Sequence, residues 1–121
     1  EQANILEAEF WLKKKKLKRE DLLQLSFILS VHKRMFNKTW RWAGQFRKTD
    51  KNIGVDWRNV ATEVKLLLDD VTYQIAHSTF DADEICARFH HRLVFIHPFA
   101  NGNGRHSRLV TDTLLICLGS T

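Results

Sequence analysis

The sequence contains little proline, glycine or cysteine. Its 121 residues include one proline, five glycines and two cysteines. So few helix breakers favour a mostly helical fold with short loops. Cys86 and Cys117 fit no spacing typical of a metal or redox site, which predicts a protein of the reducing cytoplasm.

Long apolar runs are also lacking. No stretch approaches the roughly 20 apolar residues that a membrane span needs, and no secretory apolar segment opens the chain. We therefore expect no membrane partner. The composition does support a folded core, because 44% of the residues are apolar and 27% are charged. Without repeats or linkers, residues 1–121 are predicted to form a single domain.

The formal charge of +5 comes from one short segment. Six of the seven residues from Lys13 to Arg19 are basic, which leaves 13 basic residues against 14 acidic ones elsewhere. Such a run is most often the solvated end of a helix, and a phosphate-binding arm is the less frequent alternative. No aromatic side chain interleaves the run, which disfavours nucleic acid as a partner.

Apolar residues at helical spacing predict helices over about 4–15 and about 20–37. In the second of these, one stripe is expected to be buried: Leu22, Leu25, Leu29, His32 and Phe36. A third helix follows Asp56 as its cap, and its predicted apolar stripe is Val60, Val64, Leu67, Val71 and Ile75.

A fourth helix starts at Asp81, because Glu84 three residues later resembles a capping box. It is predicted to bury Ile85, Phe89, Leu93 and Ile96 and to end near Pro98. The last helix covers about 103–118, with Gly119 as its stop. Between the second and third helices, 45–49 and 53–55 are predicted to be short extended pieces of a weak β-hairpin.

The stretch His97–Arg108 carries the strongest signal for chemistry. It holds the only proline and two of the five glycines, and it leads into the last helix. Backbone N–H groups of a Gly-x-Gly turn at a helix start converge on an anion. Arg105 and Arg108 lie three residues apart on one side of that helix, so the stretch predicts a polyphosphate cradle.

His97 stands at the entrance of this stretch. A neutral imidazole there can take a proton from a hydroxyl group that attacks a bound phosphate. A single histidine is more often structural, and paired arginines are more often surface partners of carboxylates. Their combination with two glycines and a helix break within twelve residues favours a functional site.

This stretch resembles the signature of the Fic (filamentation induced by cAMP) domain, His-Pro-Phe-x-(Asp/Glu)-Gly-Asn-Gly-Arg-x-x-Arg. Asn101 alone departs from it, at the position where the family carries an acid. A second segment, from His32 to Arg47, is similar to the segment before the family's hairpin. The resemblance covers about residues 22–118, and Asn101 with its neighbours makes it similar to the subgroup called mobile mystery protein B.

The resemblance implies an all-α Fic fold of about five to six helices with a small β-hairpin flap. The core of the domain would be about 22–118, preceded by the N-terminal helix and basic run over 4–19. It also implies a protein adenylyltransferase, toxin-like in type, which transfers AMP from ATP to a Tyr, Thr or Ser hydroxyl with Mg²⁺ as counter-ion.

The resemblance also implies a role for each residue of the motif. His97 would be the general base and Phe99 the buried anchor of the loop. Gly102, Asn103 and Gly104 would cradle the phosphates, with Arg105 on the β-phosphate and Arg108 on the γ-phosphate. Gly104 stands where phosphorylating Doc-type relatives carry lysine, which favours nucleotidyl transfer. A target protein would dock on the flap, formed by Lys51, Asn52, Ile53, Gly54 and Val55.

Three questions stay open at the level of the sequence. Asn101 would hold the metal only weakly, which leaves a catalytically weak nucleotide-binding regulatory module as the alternative function. A DNA-binding component working through Lys13–Arg19 is a third hypothesis. The family's inhibitory motif, (Ser/Thr)-x-x-x-Glu-(Gly/Asn), does not occur in the 121 residues. The alternatives are an inhibitory helix upstream of Glu1, an antitoxin partner that carries the motif, or no inhibitory motif at all.

Overall fold

Six α-helices make up most of the computed structural model, which describes residues 1–119. In chain order they are α1 (Gln2–Lys14), α2 (Arg19–Leu22), α3 (Leu25–Phe36), α4 (Val60–Ala76), α5 (Ala82–Ile96) and α6 (Asn103–Gly119). A short 3-10 turn, Trp57–Asn59, precedes α4. The predicted mainly helical fold is confirmed.

The predicted single helix over about 20–37 is wrong, because the chain breaks it into α2 and α3. Leu23 leaves helical geometry, and Gln24 is extended at φ −119° and ψ 144°. Leu22, at the end of α2, lies in the core with 2% of it exposed, and α3 starts at Leu25. The buried stripe also shifts: Leu25 and Leu29 are half-buried, whereas the buried residues of α3 are Phe27, Ile28, Val31, His32, Met35 and Phe36.

Side-chain caps start α4 and α5 where the sequence predicts them. One oxygen of Asp56 accepts the N–H of Arg58 at 2.9 Å and caps the 3-10 turn that continues into α4. Asp81 accepts the N–H of Glu84 at 2.9 Å at the start of α5. The carboxylate of Glu84 pairs with Arg88 at 2.7 Å, so only half of the predicted capping box forms.

The core lies between α5 and the helices packed around it. All four residues predicted to be buried on α5 are buried, and the helix ends at Ile96, directly before His97 and Pro98. The buried residues of α4 are Val60, Val64, Leu67, Leu68 and Val71, with Ile75 half-buried. This packing fixes the two helix ends, of α5 and α6, that flank the His97–Arg108 stretch.

Helix α1 packs against α3 and is tied to its end by Asn4. The side chain of Asn4 donates to the carbonyl of Arg34 at 3.0 Å and accepts the N–H of Lys38 at 3.0 Å. Only 4% of Asn4 is exposed. The lysines of the basic run from Lys13 to Arg19, which begins in the last turn of α1, are exposed, as expected of a solvated helix end.

The predicted β-hairpin is wrong, because the described residues 1–119 contain no β-strand. In residues 45–55, here called the 45–55 loop, two backbone N–H groups bond to the last residue of α5 and to the loop that follows it. The N–H of Arg47 donates to Pro98 O at 3.0 Å, and that of Val55 to Ile96 O at 3.3 Å. The turn at Asp50-Lys51-Asn52 lacks the Asn-Gly pair that would favour a cross-strand ladder.

Trp57 is 38% exposed, whereas Trp40 and Trp42 are half-buried and stack with ring centroids 4.6 Å apart. Gly119 belongs to α6, and whether the helix stops after it lies outside the described residues. Among residues 1–119, we find no helix with the length and apolar character to cross a membrane.

Candidate functional site

The loop from His97 to Gly102 joins α5 to α6. His97 is in the left-handed region, at φ 55° and ψ 62°, which is uncommon for a residue with a side chain. Its N–H donates to Leu93 O at 3.2 Å and closes the last turn of α5. The sharp change of direction leaves the imidazole half-buried at the end of the helix.

Phe99 anchors the loop in the core, as the resemblance implied. Its ring is fully buried and stacks on the His32 ring, with centroids 3.7 Å apart. Asn103 holds the Phe99 backbone: its Oδ1 accepts the Phe99 N–H at 2.8 Å, and its Nδ2 donates to Phe99 O at 2.7 Å. The side-chain amide of Asn103 is therefore used inside the protein.

His32 holds the same loop from the opposite side. Its Nδ1 accepts the N–H of Gly44 at 3.0 Å, so its Nε2 carries the hydrogen and donates to Asn101 O at 3.0 Å. Burial lowers the pKa of His32 to about 4 and keeps the ring neutral. The predicted burial of His32 is confirmed, and the contact with Asn101 adds a role that the sequence did not indicate.

The two glycines of the loop serve different needs. Gly102 has φ +80°, and a Cβ there would lie 2.6 Å from the Phe36 ring, so only glycine fits. A Cβ at Gly104 would meet no protein atom within 4 Å. The protein itself does not require glycine at 104, which fits a surface kept open for a ligand at the start of α6.

The first turns of α6 bring positive charge to one cavity. Backbone N–H groups at the start of a helix have no partner within the helix, and they carry partial positive charge. Arg105 and Arg108 are exposed and line a cavity of about 540 Å³ between α1 and α6. Arg105 also pairs with the Glu1 carboxylate at 2.5 Å, a contact that the sequence pattern did not reveal.

Asn101 does not fit a metal held by the protein. Its side-chain oxygen already accepts the N–H of Gly102 at 2.7 Å, and an amide carries no charge, whereas Mg²⁺ prefers carboxylates. Across residues 1–119, no three His, Cys, Asp or Glu side chains are placed to bind a metal ion together.

His97 and the flap (Lys51–Val55) lie against each other. Gly54 has φ +92°, and a Cβ there would lie 2.7 Å from the Cβ of His97. Burial lowers the pKa of His97, and the positive charges of Arg47 and Lys51 lower it further. A neutral imidazole beside an exposed peptide segment and near a basic helix start can accept a proton from a hydroxyl group.

Comparison with known proteins decides the family. The sequence model of the Fic/DOC family matches residues 22–115. The chain belongs to the Fic/DOC family. It is similar to the protein adenylyltransferase Fic of Aedes aegypti, with 30% identity over 105 residues that make up 84% of this chain. It spans about a fifth (21%) of the length of that curated relative.

Solved structures of Fic proteins share the fold. A Fic-1 fragment from Caenorhabditis elegans superposes with a TM-score of 0.75 at 28% identity, over 93% of this chain and 34% of that one. A Fic domain containing signaling protein from Bacteroides thetaiotaomicron has the same TM-score at 21% identity, over 98% of this chain and 45% of that one. The helical fold of this chain is thus the Fic fold.

The motif of this Fic domain revealed more of the site than the rest of the sequence did. It pointed to the end of α5, the loop after it, the start of α6 and both arginines, which follow one another along the chain at the α5–α6 junction. The sequence predicted no role in the site for Arg47. Its buried side chain donates a hydrogen bond to the His97 carbonyl. The only signal was its place within the second matching segment.

Proposed function

We propose that this Fic domain transfers AMP from ATP to a Tyr, Thr or Ser hydroxyl of a target protein. The observation that carries the proposal is the pairing of an open, arginine-lined helix start with a neutral histidine beside an exposed flap. The Aedes aegypti relative is named a protein adenylyltransferase, which supports the same chemistry.

The start of α6 would bind the triphosphate of ATP. Backbone N–H groups of Asn103 and Gly104 would face the phosphates, and that of Gly102 would join them by leaving the Asn101 side-chain oxygen. The missing side chain at Gly104 would let phosphate oxygens approach. Arg105 would contact the β-phosphate and Arg108 the γ-phosphate. To do so, Arg105 exchanges its ion pair with Glu1 for the phosphate.

His97 would accept the proton of the attacking hydroxyl group. The hydroxyl oxygen forms a bond to the α-phosphorus, and the bond from that phosphorus to the bridging oxygen breaks, so pyrophosphate leaves. The proton moves to the unprotonated nitrogen of the imidazole, which its lowered pKa keeps available near pH 7. The exposed residues Lys51, Asn52 and Ile53 would pair with an extended segment of the target.

The proposal includes Mg²⁺ as the counter-ion of ATP. Mg²⁺ would arrive bound to the phosphates of ATP and would remain held mainly by them, because Asn101 offers no charge.

The Asn101 position also supports membership of the mobile mystery protein B subgroup. Two unpaired cysteines, Cys86 and Cys117, support a cytoplasmic protein, with an antitoxin or inhibitory helix as a further partner.

Labelled ATP distinguishes this reaction from kinase chemistry. The protein is incubated with a cell lysate and ATP labelled at either the α- or the γ-phosphate. We expect protein-bound label from the α position alone, and a loss of about 10²–10⁴-fold in the His97→Ala variant. His91→Ala, which changes an exposed histidine of α5, serves as the matched control with unchanged transfer. Transfer from the γ position alone would contradict the proposal.

A further inference from the structure

Arg47 is a buried cation in the 45–55 loop. Its side chain has 0% exposure, and the nearest carboxylate, that of Asp50, lies 4.0 Å away and is 60% exposed. A buried charge is costly unless its hydrogen-bonding groups are satisfied. This arginine must therefore be stabilised mainly by neutral partners.

Those partners are backbone carbonyl oxygens from three short segments. Nε donates to His97 O at 2.6 Å, and Nη1 donates to Thr49 O at 2.9 Å. Nη2 donates to Ile96 O at 3.2 Å and also to Val55 O. The planar fork of an arginine suits such a set of acceptors, and a lysine ammonium could not reach all of them in this geometry.

Two of these acceptors lie at the C-terminal end of α5. Carbonyl oxygens at a helix end have no partner within the helix and carry partial negative charge, so a cation there is stabilised. One of them belongs to His97, whose left-handed conformation is strained for a residue with a side chain. The bond from Arg47 Nε to His97 O holds the carbonyl of this strained residue in place.

The same guanidinium holds the flap against His97. A Cβ at Gly54 would lie 2.9 Å from Arg47 Nη2 and 2.7 Å from the His97 Cβ, so flap, arginine and histidine are in close contact. The N–H of Val55 donates to Ile96 O, which Arg47 also binds. Arg47 is thus the point at which the flap and the end of α5 meet.

We propose that Arg47 is a positioning residue for His97, which fixes the imidazole against the flap by binding the carbonyl oxygens of both. The proposal rests on the proposed function, because it assumes that His97 takes the proton of a hydroxyl presented at the flap. Arg47 does not touch the reacting atoms; it acts through the His97 backbone and through its charge.

The charge of Arg47 gives the proposal a second readout. The pKa of His97 lies below 6.5 because of burial first, and then because of the charges of Arg47 and Lys51. Both of these charged groups lie in the 45–55 loop, and Asp50 of the same loop faces Arg47. Removing the guanidinium should therefore raise the pKa of His97 as well as loosen its backbone.

The decisive variant is Arg47→Gln. The matched control is Arg41→Gln, which changes an exposed arginine between α3 and the 45–55 loop. The His97 pKa is followed by NMR titration, with the His97→Ala spectrum assigning its signal. Transfer is measured with α-labelled ATP and cell lysate. We expect the pKa to rise toward 6.5 and transfer to fall about tenfold to a hundredfold, with ATP binding within about threefold.

Arg47→Lys carries the test if Arg47→Gln does not fold. It keeps a cation but loses the fork, so we expect the His97 pKa to stay low while transfer still falls at least tenfold. Parental transfer in a folded Arg47 variant would overturn the proposal. If the unmodified protein transfers no label, the proposed function fails, and the shift of the His97 pKa in Arg47→Gln alone still decides whether Arg47 acts on His97.

Discussion

Asn101 and Asn103 are identical residues two positions apart, and the fold uses them differently. Asn103 is buried, and both polar atoms of its side chain bind the Phe99 backbone. Asn101 is exposed, and its oxygen accepts only the neighbouring N–H of Gly102. A change at Asn103 therefore removes the support of the loop, whereas a change at Asn101 alters only what faces a ligand.

Asn101→Asp should lower the Mg²⁺ concentration needed for half-maximal AMP transfer. The carboxylate can keep the hydrogen bond from Gly102 and adds a charged oxygen of the kind that Mg²⁺ prefers. We expect a shift of about tenfold, a higher rate, and weaker binding of metal-free ATP because of the added negative charge. Titrating Mg²⁺ against the transfer rate measures the effect.

Asn59→Asp is the control for this titration, because it adds the same charge at an exposed position before α4. Its curve should match that of the unmodified protein. Superimposable curves for the Asn101→Asp protein and its parent would show that this position does not influence the metal.

At the scale of the elements, α1 lies outside the family match at 22–115 and yet belongs to the core. Ala8 is 1% exposed and Leu12 is 7% exposed, and Asn4 binds the end of α3 through both atoms of its amide. The helix also forms one wall of the cavity that contains Arg105 and Arg108. A domain cut at the family boundary would thus lose core packing and one wall of the cavity that Arg105 and Arg108 line.

Asn4→Ala should destabilise the protein by about 1–3 kcal/mol. The substitution leaves the Arg34 carbonyl and the Lys38 N–H without the partner that the buried amide supplies. The free energy of unfolding in urea measures the loss, and Asn52→Ala, at an exposed asparagine, should change it by less than about 0.5 kcal/mol. Equal stability of the two variants would contradict the role given to Asn4.

Local sequence predicted those elements whose boundaries depend on local chemistry. Asp56 and Asp81 accept N–H groups two or three residues away, and Pro98 ends α5 by its own geometry. The break at Leu23 and Gln24 and the shape of the 45–55 loop were predicted wrongly. Both depend on contacts with segments distant in the chain, which no local pattern records.

In the candidate site, too, the sequence predicted the features that depend on neighbouring residues and missed those that depend on distant ones. The spacing in His97–Arg108 was enough to indicate a loop, a helix start and two arginines on one side, because those relations span a single turn or two. Arg47 binds His97 across 50 positions, and Asn4 binds Arg34 across 30. Glu1 pairs with Arg105 from the far end of the chain. Such partners become visible only when the packing of the helices is known.

For the whole molecule, two buried histidines link stability to pH. Burial lowers the pKa of His32 to about 4 and that of His106 to about 3, while an unfolded histidine titrates near 6.5. Between these values the unfolded chain binds more protons than the folded one, so the free energy of unfolding increases with pH. The stabilisation is complete above about pH 6.5 and is lost as the pH falls toward 4.

Urea unfolding at pH 7 and pH 5 should therefore differ by about 2 kcal/mol for each of these histidines. His106→Gln removes one of the two titrations and should reduce the difference by about half. His91→Gln changes an exposed histidine and should leave the difference as it is. A stability that does not depend on pH over this range would mean that the buried rings are already protonated or reach solvent.

The absence of a ladder within the 45–55 loop determines how this part of the molecule opens. A β-hairpin that moves away from the helices would keep its own hydrogen bonds. In this loop, however, the N–H of Arg47 donates to Pro98 O and that of Val55 donates to Ile96 O. Both amide protons should therefore exchange with solvent in one shared, sub-global opening event, well below the cost of global unfolding. The 45–55 loop and the end of α5 should thus form a small cooperative unit, which opens while the six helices are still intact.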